Sequence, residues 1–392
     1  MNAPLFDELQ TTLDAQGPDA VVTKLAERLK TEQRFHDLFD LRLMEARRRE
    51  GLPLVATRGL DELPEPLRSK MEAAYLDACR EIGALHLAAG RIRDAWLYMR
   101  PVGDKTGVRA ALEALPDEDN FEEIIELGIY EGVSPPLGFK MVLKHYGLCN
   151  AITMFEGQMA ERSRADRQAV ACLLVHHLHE ELLSSLKSEI ESQQGSPAKG
   201  TTIAELVKDR DWLFANENYH VDTTHLASIV RFAMSTDDRE TLALALDLCA
   251  YGRQLSPTFQ FASEEPFVDL YPTAAMFFGA LLGHDVDQAV QWFAQRAEER
   301  PADQYGNGPA EVYIGLLARL GRSDEAIRAG AKLLPAGTRG GQFGPNLLEL
   351  AEQGKSYATL AEVSRERDDL MGYVIGLVGG ARNGKTPATA RG

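Results

Sequence analysis

The chain has 392 residues, of which 44 % are hydrophobic and 26 % are charged, values typical of a globular protein. Its formal net charge of −17 argues against nucleic acid and against an anionic membrane surface as main partners, because both bind a basic footprint. No apolar run approaches the roughly 20 residues of a membrane span. The acidic start of the sequence, MNAPLFDELQ, lacks the basic-then-apolar pattern of a secretory signal.

The four cysteines bear on the cellular compartment. They are Cys79, Cys149, Cys172 and Cys249, and no pair has CxxC or disulfide-ladder spacing. Isolated cysteines on apolar helices are typical of buried thiols in a reducing compartment. We therefore expect a cytoplasmic protein.

The N-terminal part of the chain is predicted to be one long amphipathic helix followed by a connection. Apolar residues recur at helical spacing through 19–49, and three arginines close the segment with charge suited to a helix C-terminus. Such a triplet is more typical of a solvated helix end than of a binding patch. Three prolines within 51–66 indicate a connection. These features define an N-terminal helical segment and connection over 1–66.

Helices alternate with turns through the middle of the chain. The sequence predicts a helical hairpin over 67–101, a helix pair over 117–146 and a long helix over 165–193. Residues 193–200, QQGSPAKG, form the clearest linker. We take that linker as the boundary between two helical halves. The first half covers 67–192 and the second covers 201–378.

A helix–turn–helix unit recurs in the second half. Helix-opening prolines at Pro272, Pro309 and Pro345 are spaced 37 and 36 residues apart. Each is followed by an apolar helix, a glycine and a second helix that contains a small residue. Such a period indicates stacked helical pairs, and no segment alternates long enough to predict a strand. The glycines that end the first helix of each unit are Gly283, Gly321 and Gly354.

Two of the predicted helix–turn–helix units, one in each half, resemble tetratricopeptide repeats (TPR). Residues 321–327, GRSDEAI, resemble the TPR turn and second helix, and residues 90–96, GRIRDAW, with Gly83 upstream, match the pattern better. The resemblance covers about a third of the chain. It implies an all-α fold, a right-handed α-solenoid of antiparallel helix pairs, but no particular partner.

The C-terminal residues contain a match to a phosphate-binding loop. Residues 379–386, GGARNGKT, fit GxxxxGK[ST], and the apolar run 373–378 precedes them as a strand would. A phosphate-binding loop needs the N-terminus of a following helix, and only six residues, beginning with Pro387, follow Thr386. We therefore predict no nucleotide-binding site and a disordered basic tail over 379–392.

Six of the nine histidines lie between residues 145 and 225. Histidine together with carboxylate is the commonest intracellular set of ligands for zinc or a related divalent ion. The spacing contains neither HExxH nor HxxEH, which favours the alternative of a buried histidine–carboxylate network, with Asp222 as the N-cap of a helix starting at Thr223. We also expect His177, Glu181, His220 and His225 to lie close together. The candidate metal ligands are His176, His177, Glu180, Glu181, His220, Asp222 and His225.

The segment 256–271, SPTFQFASEEPFVDLY, is long for a connection between helices. Aromatic anchors beside acidic side chains suit a binding surface for a basic or amphipathic peptide. The alternative is that the aromatic residues fold back onto the core. The candidate partner-binding residues are Phe259, Phe261, Glu264, Glu265, Phe267 and Tyr271.

These patterns leave two functions open. The first is a helical-repeat interaction or scaffold module that holds a polypeptide segment in its groove, with no cofactor. The second is a divalent-metal-dependent, hydrolase-like enzyme that uses the histidine–carboxylate cluster, with zinc or another divalent metal. The visible repeats favour the first. We expect a protein or peptide partner, no nucleic acid and no membrane.

Overall fold

A computed structural model describes residues 3–56, 59–261, 263–335, 337–338 and 345–382. Over these residues the chain is all-α and contains no β-strand, which confirms the predicted fold class at that level. The chain forms two compact units, Met1–Met141 and Val142–Gly392. None of the described helices is long and apolar enough to cross a bilayer.

The first unit begins with helices that pack as successive neighbours. The segment 19–49, predicted as one helix, belongs to two, because the chain turns at Gln33, whose φ is +54°. The Arg34 N–H donates to the Leu29 carbonyl at 2.9 Å and closes the end of the first helix. The two apolar faces then share a core that includes Leu29 and Leu38. The helices of this unit are α1 (Ala3–Gln16), α2 (Pro18–Thr31), α3 (Phe35–Arg49), α4 (Leu67–Ala88), α5 (Ile92–Val102), α6 (Thr106–Glu113) and α7 (Asp117–Ile125), which continues as a π-helical turn (Glu126–Tyr130).

The predicted TPR-like hairpin corresponds to α4 and α5, which pack against each other. Gly90 lies in the turn between them with a φ of +72°. A Cβ added to Gly83 would lie 2.6 Å from the Met99 Cγ, so a larger residue would require Met99 to move. Ala95 is fully buried on the facing helix. Small residues therefore lie where the two helices approach or turn, as the sequence predicts.

The second unit continues the helical order. Helix α8 (Pro135–Gln158) begins in the first unit and ends in the second, with a break at Gly147. The helices that follow are α9 (Arg164–Gln194), α10 (Ile203–Val207), α11 (Thr223–Ala233), α12 (Arg239–Gly252), α13 (Leu270–Leu282), α14 (Val286–Glu299), α15 (Ala302–Tyr305), α16 (Gly308–Arg319), α17 (Ser323–Leu333), α18 (Leu347–Gly354), α19 (Tyr357–Glu366) and α20 (Leu370–Arg382). The predicted linker, 193–200, joins α9 to α10 inside this unit, and both helices pack on α12.

Each of the three predicted repeats is a helix pair: α13 with α14, α16 with α17, and α18 with α19. Gly283 and Gly321 follow the first helix of their pairs with φ of +97° and +75°, a conformation that glycine adopts without a steric penalty. In the third pair Gly354 ends α18, and Lys355 takes the left-handed position instead. Helix α14 also packs on α16, and α17 packs on α18, so neighbouring pairs contact each other.

The C-terminal segment is more helical than the sequence predicts. The run 373–378, which could mimic a strand, lies inside α20. Helix α20 packs closely on α19, because a Cβ added to Gly376 would lie 2.7 Å from the Ala361 nitrogen. The first part of the tail predicted over 379–392 is therefore helical, and the helix ends at Arg382. Residues 383–392, with the rest of the GxxxxGK[ST] match, lie outside the described residues.

Candidate functional site

The predicted histidine centre is distributed along α9 and around the start of α11. His176 and His177 are half-buried on α9, and His176 Nε2 lies 3.3 Å from the hydroxyl of Thr241. Glu180 and Glu181 are exposed on the same helix. Two of the three carboxylates predicted as ligands therefore lie at the surface rather than in a buried site.

The polar contact that fixes this part of α9 comes from Asp247 on α12. Its Oδ2 lies 2.8 Å from His179 Nε2 and accepts the N–H of Ile203 at 2.7 Å. Its Oδ1 accepts the N–H of Ala204 at 2.7 Å. The carboxylate thus contacts both a buried histidine and the first two N–H groups of α10. One side chain joins three helices, and the sequence prediction did not single it out.

His220 belongs to a separate buried group near the C-terminal end of α9. Its Nε2 lies 2.9 Å from Glu189 Oε2, and its backbone N–H and Nδ1 lie 2.8 and 3.1 Å from the hydroxyl of Tyr251. Burial lowers the pKa of His220, and Glu189 opposes that shift. Burial also raises the pKa of Tyr251 to about 12. The geometry fits a neutral imidazole whose Nδ1 accepts a hydrogen bond from the hydroxyl of Tyr251.

Asp222 and His225 serve the start of α11. Asp222 Oδ1 accepts the N–H groups of Thr224 at 2.8 Å and of His225 at 3.3 Å. Asp222 is therefore an N-cap, which is the structural alternative offered by the sequence. The hydroxyl of Thr224 donates to the same oxygen and lowers the pKa of Asp222.

The candidate metal ligands are not gathered into one site. His220 contacts Glu189, which follows His177 by 12 residues on α9 and so lies about 18 Å further along the helix axis. Within the described part of the chain, no group of three or more His, Cys, Asp or Glu side chains is arranged to hold a metal ion. The residues of this region instead form separate hydrogen-bonded pairs and a helix cap.

The four aromatic residues predicted to bind a partner, in segment 256–271, mostly face the core. Phe267 and Tyr271 are buried, and burial raises the pKa of Tyr271. Phe259 is half-buried and packs edge-on against Tyr219, with ring centroids 5.1 Å apart. Only Phe261, of these four, is exposed. The aromatic part of the predicted partner surface is therefore largely built into the fold.

Of the two acidic residues predicted to bind a partner, one is held by the fold and the other is exposed. Glu265 is bound by two arginines of the next helix hairpin, Arg296 at 2.8 Å and Arg300 at 3.0 Å. Its side chain is largely buried, so it holds the loop against α14. Glu264 is exposed.

A cavity of about 400 Å³ lies beside the start of α12 and the ends of α13 and α16. We call it the arginine cavity, because Arg164, Arg239 and Arg319 line it. Among its described lining residues Asp237 is the only acidic one. The cavity therefore concentrates positive charge in a chain whose net charge is strongly negative.

Arg319 forms the buried base of the arginine cavity. Its Nη1 donates to the Met234 carbonyl at 2.8 Å and its Nη2 donates to the Thr236 carbonyl, which secures the C-terminal end of α11. Its Nε lies 2.7 Å from Asp237 Oδ1 without hydrogen-bond alignment, so that contact is an ion pair. Burial lowers the pKa of Arg319 to about 10, and Asp237 opposes the shift, so the guanidinium stays charged at neutral pH.

Two further arginines, both exposed, form the rim of the arginine cavity. Arg164 Nη2 lies 3.0 Å from Asp237 Oδ2, so Asp237 bridges Arg164 and Arg319. Arg239 Nη2 donates to the Leu282 carbonyl at 3.1 Å. A guanidinium carries five N–H donors, and these contacts use only some of them. The rim can therefore bind a further carboxylate or a similar oxyanion.

A second cavity, of about 450 Å³, adjoins the first, and Pro345 lines both. We call it the apolar cavity. It lies among α16, α17, α18 and α19, and its apolar lining includes Ile314, Leu334, Leu347, Leu348 and Val363. The lining also includes Glu311, Asp368 and Asp369, so a cavity rich in arginine lies beside one that combines apolar and acidic side chains.

The sequence carried no signal for the arginine cavity. Its arginines are separated by 75 and 80 residues, and none belongs to a motif. Comparisons of the chain with protein-family models, with curated proteins and with solved structures found no match. The class that the fold itself defines is an all-α protein with many packed helices, compatible with a helical-repeat architecture.

Proposed function

We propose that this chain is a helical-repeat interaction module that holds a polypeptide segment in a groove of its second unit. The pairs α13–α14, α16–α17 and α18–α19 support the repeat interpretation, and we propose that they stack as a right-handed, TPR-like α-solenoid. The observation that carries the proposal is the arginine cavity, with the apolar cavity beside it. The bound segment then has an acidic side chain or a C-terminal carboxylate next to a large apolar side chain.

Asp237 supports a carboxylate as the ligand group. Its two oxygens already contact Arg164 and Arg319, at 3.0 and 2.7 Å, as a ligand carboxylate would. Half of the Asp237 side chain is exposed, and its Oδ2 also accepts a hydrogen bond from Gln168 Nε2 at 2.9 Å. Asp237 is therefore an internal competitor for the same donors. Removing its charge should tighten the binding of acidic peptides.

The experiment is a binding assay with a small set of labelled peptides, read by fluorescence polarisation. Each peptide carries Asp or Glu one to three positions from a Leu, and each has a partner peptide with Asn or Gln in place of the acid. A charge-assisted hydrogen bond contributes about 1.5–3 kcal/mol, so the acidic peptides should bind roughly 10–100-fold more tightly than their amide partners. The Arg164→Gln and Arg239→Gln variants should remove that difference, and Asp237→Asn should increase it.

Arg328 provides a matched control. It lies on α17, has the same exposed fraction as Arg164, 51 %, and pairs with Glu362 away from both cavities. The Arg328→Gln variant should bind all peptides as the wild type does. Equal affinity for acidic and amide peptides, or equal losses in the Arg164→Gln and Arg328→Gln variants, would contradict the proposal.

The metal-dependent enzyme remains a prediction from the sequence, and no contact among the described residues favours it. Elemental analysis of the purified chain tests it directly. About one tightly held zinc or other divalent ion per chain would support it.

A further inference from the structure

Helix α20 presents an apolar face to solvent. Leu370, Met371, Val374 and Val378 are 75, 69, 51 and 57 % exposed. Their spacing places them within an arc of about 100° on one side of the helix. Each offers on the order of 100 Å² of apolar surface, so together they expose several hundred Å². The largest apolar patch on a folded monomer is typically about 300–600 Å² and is often functional, so this face is a candidate interaction surface.

The opposite face of α20 explains why the helix does not turn its apolar residues inward. Gly372, Gly376 and Gly380 are buried there. A Cβ added to Gly376 would lie 2.8 Å from the Tyr357 carbonyl oxygen, so no larger residue fits against α19. The glycine face is the only one that allows this close approach. The apolar face is therefore held outward by the packing.

We propose that this face of α20 pairs with the same face of a second copy of the chain, with the two helices antiparallel about a twofold axis. Antiparallel pairing sets Val374 of one copy beside Val378 of the other. It also brings Arg382, at the end of α20, towards Asp368 and Asp369, which precede the helix in the second copy and are exposed. Opposite charges then flank an uncharged centre, which makes the surface complementary to itself.

The area and the neighbouring sequence favour a second copy over the chain's own next residues. The four side chains supply about half of the ~800 Å² that each partner of a stable interface buries, and the flanking residues of α20 can supply the rest. Residues 383–392, NGKTPATARG, contain no Leu, Ile, Val, Met or aromatic side chain with which to cover the face. These ten residues therefore offer no apolar side chain that could cover the face.

The test is the mass of the full chain in solution, measured by sedimentation velocity and light scattering from low to high micromolar concentration. We expect the mass to rise with concentration from 43.2 kDa towards twice that value. The Val374→Glu and Val378→Glu variants should stay at the monomer mass, and helical circular dichroism should show that both are folded. The Leu97→Glu variant is the control, because Leu97 is 65 % exposed on α5 and should not affect the dimer.

Cross-linking tests the antiparallel register independently of any loss of folding. In a Cys149→Ser background, which removes the exposed native thiol, a mixture of Val374→Cys and Val378→Cys chains should cross-link with a short bifunctional maleimide at least several-fold faster than either chain alone. A wild type that stays monomeric at every concentration, or a dimer that persists in both glutamate variants, overturns the proposal. Equal cross-linking of the mixture and the single variants overturns the register. Peptide binding in the arginine cavity is not required for any of these outcomes.

Discussion

Asp247 is the side chain on which we expect the second unit to depend most, and the Asp247→Ala substitution measures that dependence. The carboxylate accepts three short contacts, from His179 and from the N–H groups of Ile203 and Ala204, and only a tenth of the side chain is exposed. Thr202 is the N-cap of α10, and Asp247 accepts the next two N–H groups, so losing this acceptor costs about as much as losing a cap, about 1 kcal/mol. Leaving a buried polar partner unpaired costs about 1–3 kcal/mol. The free energy of unfolding should therefore fall by about 2–4 kcal/mol.

Two further variants provide smaller expected losses for comparison. Asp247→Asn keeps one carbonyl oxygen as an acceptor and should lose about half as much. Asp287→Ala is the control, since Asp287 is 92 % exposed and contacts only Arg322 among the ion pairs of the described residues, and such a surface pair contributes about 0–1 kcal/mol.

The assay combines urea unfolding with hydrogen exchange of the peptide that covers 201–210. The Asp247→Ala variant should unfold at lower urea and should lose amide protection at Ile203 and Ala204 before the rest of the unit opens. The reasoning is refuted if the urea midpoint of Asp247→Ala matches that of Asp287→Ala. It is also refuted if the α10 amides of Asp247→Ala keep wild-type protection.

Two further predictions concern pH and packing. The pKa of His220 is lower in the folded chain than its unfolded value of about 6.5, so the unfolded chain binds the extra proton first and stability falls as pH drops below about 6.5. The urea midpoint should therefore decline less steeply with falling pH in His220→Gln than in the wild type. An equal decline in both proteins would contradict a lowered pKa of His220. Ala326 and Ala95 are fully buried, so Ala326→Leu and Ala95→Leu should each cost about 1–3 kcal/mol by overpacking. An unchanged melting temperature in both, with Arg328→Leu as the exposed control, would show that these positions tolerate a larger side chain.

Local patterns in the sequence predicted local structure well. Proline, glycine and small residues at the repeat period indicated helix pairs, because each acts on the backbone of its own turn. Asp222 could be identified as an N-cap for the same reason, since its partners are two and three residues away. The turn at Gln33 was missed because glutamine carries no signal for a positive φ, and the predicted helix ran through it.

Contacts between distant residues could not be predicted in this way. His179 was adjacent to the candidate ligands, but its partner Asp247 lies 68 residues later on another helix. Periodicity gives the face of a helix without giving its neighbour, so histidine and carboxylate residues that are close in sequence were assigned to one cluster. The arginine cavity could not be predicted from the sequence for the same reason. Its charge depends on how five helices pack, and no short stretch of sequence contains that information.

The contact between Arg319 and the end of α11 has a consequence during synthesis of the chain. The carbonyls of Met234 and Thr236 emerge from the ribosome more than 80 residues before the guanidinium that binds them. Until α16 is made, the end of α11 must stay hydrated, and Asp237 has only Arg164 as an ion-pair partner. The second unit therefore cannot complete its packing from the N-terminal side alone.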